Sequence, residues 1–442
     1  MFYFLDSLGK KVLPLWLYQS VLGRWNKEGV LKYLSNTGWI FAGKSGSLLI
    51  SFIATFYIAR YLGPSNFGEL SYALSFVALF SFIASFGIDS VLYRELIAEP
   101  EKRNELMGSA FAIKVVTSLS AILITIASAF FFSPKDVSFW LILILSISFF
   151  FQSTYIINYE FGAVVKAKKI SILSLAINLV INIAKIAVIF LEQGVLFLAL
   201  ILACESIFYA VGYLYLRYKT FGSLFAWRFD RSVAKSLLYN SWPFIFSGAF
   251  ALVYARIDQI MLKHIIDATS VGIYDAAVRL AELWYFIPVV IVGSLFPALV
   301  KAKQHSLPEY KKRILLLFVL ISTLAVTIAT VVTLTAEPLV NLVFGESFLA
   351  SAIVLQVYIW ALVPISLITL FNNVLLAENA KKLLFASSLL GMGFNVVGNY
   401  LLIPTHQAFG AAIASLVSSL IMSIFLMFAC MYLYRKLNDA TL

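Results

Sequence analysis

Residues 38–45 read GWIFAGKS. The spacing G-x-x-x-x-G-K-S is that of a phosphate-binding loop, in which glycine-rich backbone amides cradle a nucleotide and the lysine reaches its terminal phosphates. That chemistry needs free amides between a strand and a helix. Here the intervening residues are Trp39, Ile40, Phe41 and Ala42, and the motif runs unbroken into SGSLLISFIATFYIARYLG. In one continuous helix those amides are taken up by i→i−4 bonds, so the sequence argues against an ATPase. Lys44 matters for another reason. A cation inside an apolar span is costly and normally faces a polar interior.

Its helix face is informative. Lys44, Ser47, Ser51 and Thr55 recur at spacings of three and four and form one polar stripe. Ser171, Ser174, Asn178, Asn182 and Lys185 form a second, and Lys114, Ser118, Thr125 and Ser128 a third. Three such stripes imply a hydrated cavity lined with positive charge. Arg256 has Asp258 two residues on, nearly on the opposite helix face, and so is not neutralised within its own helix. Arg279, with Asp275 at i−4 and Glu282 at i+3, reads first as a structural ion pair. Asp89, Glu205 and Asp258 can each bind a coupling proton or cation, or each serve as counter-ion to a nearby lysine. His264, His305 and His406 are far apart, and Cys204 and Cys430 sit singly in apolar runs. Neither set has metal-ligand or disulfide spacing, so no metal, cofactor or catalytic residue is expected.

The elements that position these residues are membrane helices. Of 442 residues 62% are hydrophobic and 12% charged, against roughly 25% charged in soluble domains. About twelve runs reach the ~20 residues that cross ~30 Å of hydrocarbon. They lie near 38–60, 67–90, 110–132, 137–158, 170–191, 194–216, 239–262, 272–299, 314–335, 352–376, 383–404 and 410–433. Residues 1–37, with Trp16, Trp25 and several lysines, read as an amphipathic segment on the membrane surface. Of the 33 Lys and Arg, 25 fall at the termini and the even-numbered connections. Only Arg60, Lys135 and Lys263 fall on the odd-numbered ones, and five lie inside spans. Both termini are therefore expected to be cytoplasmic in the cell (inner) membrane. The net charge of +11 needs no nucleic-acid partner.

The chain also repeats. At an offset of 204, Asn36 meets Asn240, Thr37 meets Ser241, Gly68 meets Gly272 and Ala73 meets Ala277. INLVIN (177–182) and FNVVGN (394–399) both carry N-x-x-x-N before a glycine and a final span. The expectation is two homologous six-helix lobes, 38–216 and 239–433, around a central cationic cavity. A cytoplasmic linker, 217–238, joins them, and a tail, 434–442, follows. Six spans per lobe give both lobes one orientation.

The stretch SNTGWIFAGKSGSLLISFIATFYIARYLGPSNFGELSYALSF resembles the opening of the polysaccharide transporters of the multidrug/oligosaccharidyl-lipid/polysaccharide flippase superfamily, in particular O-antigen repeat-unit flippases. The shared elements are Asn-Thr-x-Trp at 36–39, Ala-Arg-Tyr-Leu-Gly-Pro at 59–64 and Phe-Gly at 67–68, and FNVVGNYLLIPTHQAFGAAIAS at 394–415 is similar to the family's penultimate turn. The resemblance covers nearly everything from Asn36 on and leaves residues 1–34 unexplained. It implies two six-helix lobes that move undecaprenyl-pyrophosphate-linked oligosaccharide from the inner to the outer leaflet, with polysaccharide polymerase or ligase as possible partners. It also implies cavity cations on the pyrophosphate, where Lys44 and Arg256 fall. Lys185, Lys114, Arg279, Asn178 and Asn182 complete the substrate-facing candidates. The alternatives are an ion-coupled multidrug exporter, which an excess of cavity cations disfavours, and a membrane transferase, for which the sequence shows no acid cluster.

Overall fold

The computed structural model describes residues 27–439 apart from residues 224, 225 and 379. Of the expected surface segment 1–37, residues 1–26 lie outside the described residues, and 27–37 continue the first helix. Residues 440–442 of the tail also lie outside. Among the described residues every regular element is helical: α1 (Lys27–Ser85), α2 (Ile88–Ala98), α3 (Arg103–Phe132), α4 (Val137–Ser146), α5 (Ser148–Gln152), α6 (Ile156–Ala163), α7 (Ala167–Phe190), α8 (Val195–Phe221), α9 (Arg231–Ile265), α10 (Ala268–Glu282), α11 (Phe286–His305), α12 (Leu307–Leu334), α13 (Ala336–Phe344), α14 (Ser351–Tyr358), α15 (Leu362–Ala377) and α16 (Lys381–Asp439).

Among the described residues ten helical stretches are long and apolar enough to cross a bilayer, so the chain is an all-α, multi-pass membrane protein. Two of them, Gly43–Ala98 and Lys381–Leu433, run 56 and 53 residues. That is more than twice the ~20 residues one crossing takes. Each is broken inside, at Gly63 (φ 67°, ψ 172°) and at Gln407 (φ 50°, ψ −132°). The break between the spans expected near 38–60 and 67–90 is thus a single residue. Glycine takes the positive φ without a Cβ clash, and Pro64 restarts the helix at a position where its missing amide costs nothing. Within 217–238 only residues 222–230 lie between the two long helices. α8 runs to Phe221, and Asp230 caps α9 by accepting from the amides of Ser232 (2.8 Å) and Val233 (2.9 Å).

The buried apolar residues form three clusters. One joins both halves of the chain, running from Ile58–Ala84 through Leu262–Ala281 to Phe344 and Ala412. The other two are separate. One belongs to the first half (Ile88, Met107, Phe161) with the start of α9, the other to the second half (Val292, Phe371, Leu426). The core is fused at one face and split at the other.

The fused face holds the odd-numbered connections. Gly68 and Gly272 cross there with their backbones touching. A Cβ on Gly68 would lie 1.8 Å from the Ala268 carbonyl oxygen, and one on Gly272 would lie 2.0 Å from that of Pro64. Around the crossing, Lys263 donates to Glu69 (2.5 Å) and Asp136 (2.9 Å) across the halves. The Arg60 guanidinium donates to the carbonyls of Asn341 (3.1 Å) and Leu342 at the end of α13. Tyr72 meets His264 at 3.1 Å, and Phe67 packs on Phe344 and Phe348. On the opposite face Glu160 accepts from Arg103 (2.7 Å) and Arg217 (3.1 Å), a network confined to the first half.

Burial works against the Asp136 carboxylate, but hydrogen bonds from Ser138 and Lys263 outweigh it and hold its pKa below the ordinary aspartate value. The pair's contribution is therefore complete at neutral pH and is lost only as pH falls through that lowered value. Lys263→Glu gathers three carboxylates at the seal. It is expected to raise severalfold the labelling of a Ser47→Cys reporter, in a background without Cys204 and Cys430, by an impermeant maleimide applied from the Glu69 face. Adding Glu69→Lys should reverse the increase. Unchanged labelling in the single variant would show that the clasp does not hold the face shut.

Candidate functional site

The first half carries a cavity of ≈600 Å³ lined by Lys44, Ser47 and Ser51 of α1, Ser171 and Ser174 of α7, and Tyr93, Asn158, Tyr159 and Gly162 beside them. Gly43, the second glycine of the phosphate-loop look-alike, and Gly46 just after it build one wall. A Cβ on Gly43 would stand 2.9 Å from the Cβ of Ser171, and one on Gly46 would stand 2.9 Å from Leu175, so both let α1 lie close on α7. The two polar stripes expected on these helices face each other. Asn178 donates to Ser51 (2.9 Å), and Asn182 donates to the Asn178 carbonyl (2.8 Å). The third stripe does not line the cavity. Lys114, Ser118 and Thr125 are packed inside the first half.

The five intramembrane cations divide by partner. Lys114 pairs with Asp89 at 2.7 Å, Lys185 with Glu205 at 3.1 Å and Arg279 with Asp275 at 2.6 Å. The sequence left open whether Asp89 and Glu205 take coupling ions or neutralise lysines. In the structure each of these acids pairs with a lysine. A cation in low dielectric draws the nearest carboxylate, and here the partners come from neighbouring helices, Asp89 25 residues before Lys114 and Glu205 20 residues after Lys185. Among the described residues Lys44 and Arg256 have neither a hydrogen bond nor an ion pair. Arg256 is half-buried and lies within electrostatic reach of Glu282, as do Asp275 and Arg279.

Asp258 is different. It is buried on the face of α9 away from Arg256, and no cation touches it. Tyr274 (2.5 Å), Ser415 (2.6 Å) and Asn399 donate to its two oxygens, and Asn395 donates to Ser415 (3.4 Å). The asparagine pair of the second half thus sits against Asp258 as the pair of the first half sits against Ser51. In both pairs the second asparagine's carbonyl oxygen, Asn182 Oδ1 and Asn399 Oδ1, is buried without a donor.

Sequence reading missed the polar bridge between the halves. Ser71 donates to Asp275 (2.6 Å), Gln259 donates to the same carboxylate (2.7 Å), and Ser75 donates to Gln259. The signal was present, because Ser71 and Asp275 are a pair at the repeat's offset of 204. Only identical or similar residues were matched there, so a complementary pair passed unnoticed.

Removing one partner of a buried pair leaves the other charge stranded. Lys114→Met is expected to cost about 3 kcal/mol or more of stability. Lys44→Gln should change stability by less than about 0.5 kcal/mol. Thermal unfolding of the two purified variants compares them directly, and equal losses would mean that Lys44 has a structural partner after all.

The model of the polysaccharide biosynthesis protein family matches residues 33–303. The capsular polysaccharide biosynthesis protein CapF of Staphylococcus aureus is 21% identical over 422 residues, covering 91% of this chain and 100% of that protein. Among solved structures, the fold is similar to a multidrug resistance MATE family transporter of the MOP superfamily in its inward-facing conformation (TM-score 0.72, 11% identity, 90% of this chain and 96% of that one). It is also similar to the lipid II flippase MurJ in an inward closed conformation (TM-score 0.66, 16% identity, 90% of this chain and 87% of that one). With more than half of its length matched by the family model and with the fold of these transporters, the chain belongs to the polysaccharide biosynthesis protein family.

Proposed function

We propose that this protein carries an oligosaccharide linked to undecaprenyl pyrophosphate from the inner to the outer leaflet of the cytoplasmic membrane, for surface polysaccharide assembly, with no covalent chemistry of its own. The observation that carries the reading is the pattern of pairing: three intramembrane cations are held in ion pairs, and among the described residues Lys44 and Arg256, one in each half of the chain, have neither a hydrogen bond nor an ion pair. A sugar–pyrophosphate head is large, polar and anionic, and hydrocarbon excludes it unless a cavity supplies cations, hydroxyls and amides. Lys44 and Arg256 take the pyrophosphate in this reading, and Ser47, Ser51 and Ser171 line its path.

The transport cycle alternates access between two six-helix lobes, with the breaks at Gly63 and Gln407 each separating two crossings to give twelve. The distribution of Lys and Arg puts both termini and the linker in the cytoplasm. The fused core then lies at the outer face. Asp258, a carboxylate with neutral donors only, is the group that takes up a proton or a monovalent cation to drive the cycle. A polymerase or ligase that consumes the glycan at the outer face is the partner class that fits.

A second reading, ion-coupled export of small cations, is favoured by the fold likeness to MATE transporters. The cation that lines the first-half cavity, Lys44, weighs against it, because it repels a cationic substrate.

In a deletion strain without a paralogue, lipid-linked oligosaccharide should build up on the inner leaflet and surface glycan should fall. Complementation by Lys44→Gln or Arg256→Gln should restore about a tenth of the flux or less, since a charge-assisted contact to phosphate is worth a factor of about ten or more. Asp258→Asn should remove the dependence of transport on an ion gradient while leaving carrier binding intact. Normal surface glycan in the deletion strain sinks the proposal. A changed drug susceptibility beside it would transfer support to the second reading.

A further inference from the structure

The repeat makes each half a control for the other. A feature present in both serves the fold, and a feature present in one is a candidate for function. Both halves have a polar cleft in the same place. That of the second half, ≈270 Å³, is lined by Asn372, Asn373 and Ser388 with two leucines. Ser388 is the counterpart of Ser171 at the offset of 217 that also relates the asparagine pairs. Asn372 is the counterpart of Asn158 at the offset of 214 that relates the starts of α7 and α16. An amide and a hydroxyl therefore belong to the fold.

Three things belong to the first half alone. Its cleft is more than twice as large, at ≈600 Å³. It holds Lys44, whose counterpart at the offset of 204 is Gly248. And it holds two tyrosines, Tyr93 and Tyr159, with ring centroids 6.3 Å apart at 60°. Tyr93 is 40% exposed, and among the described residues neither tyrosine hydroxyl has a hydrogen-bond partner. Gly162 keeps Tyr93 in place, since a Cβ there would come within 3.0 Å of the ring. No carboxylate lines the cleft, and the nearby Asp89 is neutralised by Lys114.

We infer that this cleft is a saccharide subsite, in which the sugar next to the pyrophosphate packs on Tyr93 and Tyr159 and hydrogen-bonds Asn158 while Lys44 holds the adjoining phosphate. The inference rests on the carrier reading above and goes further by placing the sugar. A pyranose has an apolar face of C–H groups and a rim of hydroxyls. An aromatic face satisfies the first, and amide, hydroxyl and phenol groups satisfy the second. An acyl chain finds too many polar groups here, and a cationic drug meets Lys44 with no acid to offset it. The volume falls in the range of small-molecule sites, about 300–1,000 Å³.

The test uses the purified full chain in nanodiscs and two probes, undecaprenyl pyrophosphate alone and the same carrier bearing the host cell's own oligosaccharide. The wild type should bind the glycosylated probe about tenfold more tightly. Tyr93→Ala and Asn158→Ala should each reduce that preference to about twofold and leave the bare carrier's affinity unchanged. Gly162→Leu, which fills the cleft from the other side, should do the same. Lys44→Gln should weaken both probes by one common factor. If the wild type shows no preference, or if Tyr93→Ala weakens both probes equally, the sugar does not sit here although the carrier reading stands. If neither probe binds the wild type, the carrier reading falls and the subsite with it.

Discussion

Gly68 and Gly272 let two helix backbones touch, and the arrangement of the halves follows from that contact. No side chain fits at the crossing of α1 with α10, because even a Cβ would lie within about 2 Å of a carbonyl oxygen on the other helix. The approach brings Ser71 to Asp275, Lys263 to Glu69 and Phe67 to Phe344. It also fuses the apolar core on that face. On the other face the apolar clusters stay apart, one in each half. A contact built from backbone, small residues and a few polar bonds interlocks little, so it can close tightly and still come apart.

The second constraint is charge in a medium of low dielectric. Within the membrane it forces pairing, and the pairs found are local to one half: Lys114 with Asp89, Lys185 with Glu205, Arg279 with Asp275. At the fused face it acts differently. Of the three cations that stand against the general distribution of Lys and Arg, Lys135 rests over the Phe130 ring, while Arg60 and Lys263 bridge the halves. Two exceptions to the topology rule are therefore explained by the closure they make.

Much of this was legible in the sequence. Apolar run lengths gave the helices, and the N-x-x-x-N repeat marked two asparagine pairs with matching geometry. The facing stripes of α1 and α7 followed from spacings of three and four. Pairing within a helix was legible for Arg279 with Asp275, but pairing between helices was not. The stripe through Lys114 looks like the stripe through Lys44, because a helical wheel shows which residues share a face but not what the face meets. Asp89 and Glu205 lie 25 and 20 residues from their lysines, on other helices, and nothing local marks them as partners. The sequence alone argues against a phosphate loop at this spacing, but the use of its second glycine was not legible: Gly43 and the neighbouring Gly46 serve helix packing against Ser171 and Leu175, which only the tertiary structure supplies.

The two asparagine pairs carry the argument one step further. The same side chains hold a hydroxyl, Ser51, in the first half and a carboxylate, Asp258, in the second. A hydroxyl in that pocket is neutral at any physiological pH and fixes the packing of its helix. A carboxylate can exchange a proton or a cation where a hydroxyl cannot, so the same frame holds an ionisable group in the second half and a neutral one in the first. Asp258 and Arg256 stand on nearly opposite faces of α9, two residues apart. In the coupling reading proposed above, a change of state at Asp258 would alter how that face packs on Tyr274 and Ser415, and α9 would carry the shift to the face that holds Arg256. Under that reading the asymmetry between the repeats makes the second half the ion-dependent one and leaves the first half's cleft, where Lys44 lies, as the fixed side of the pair.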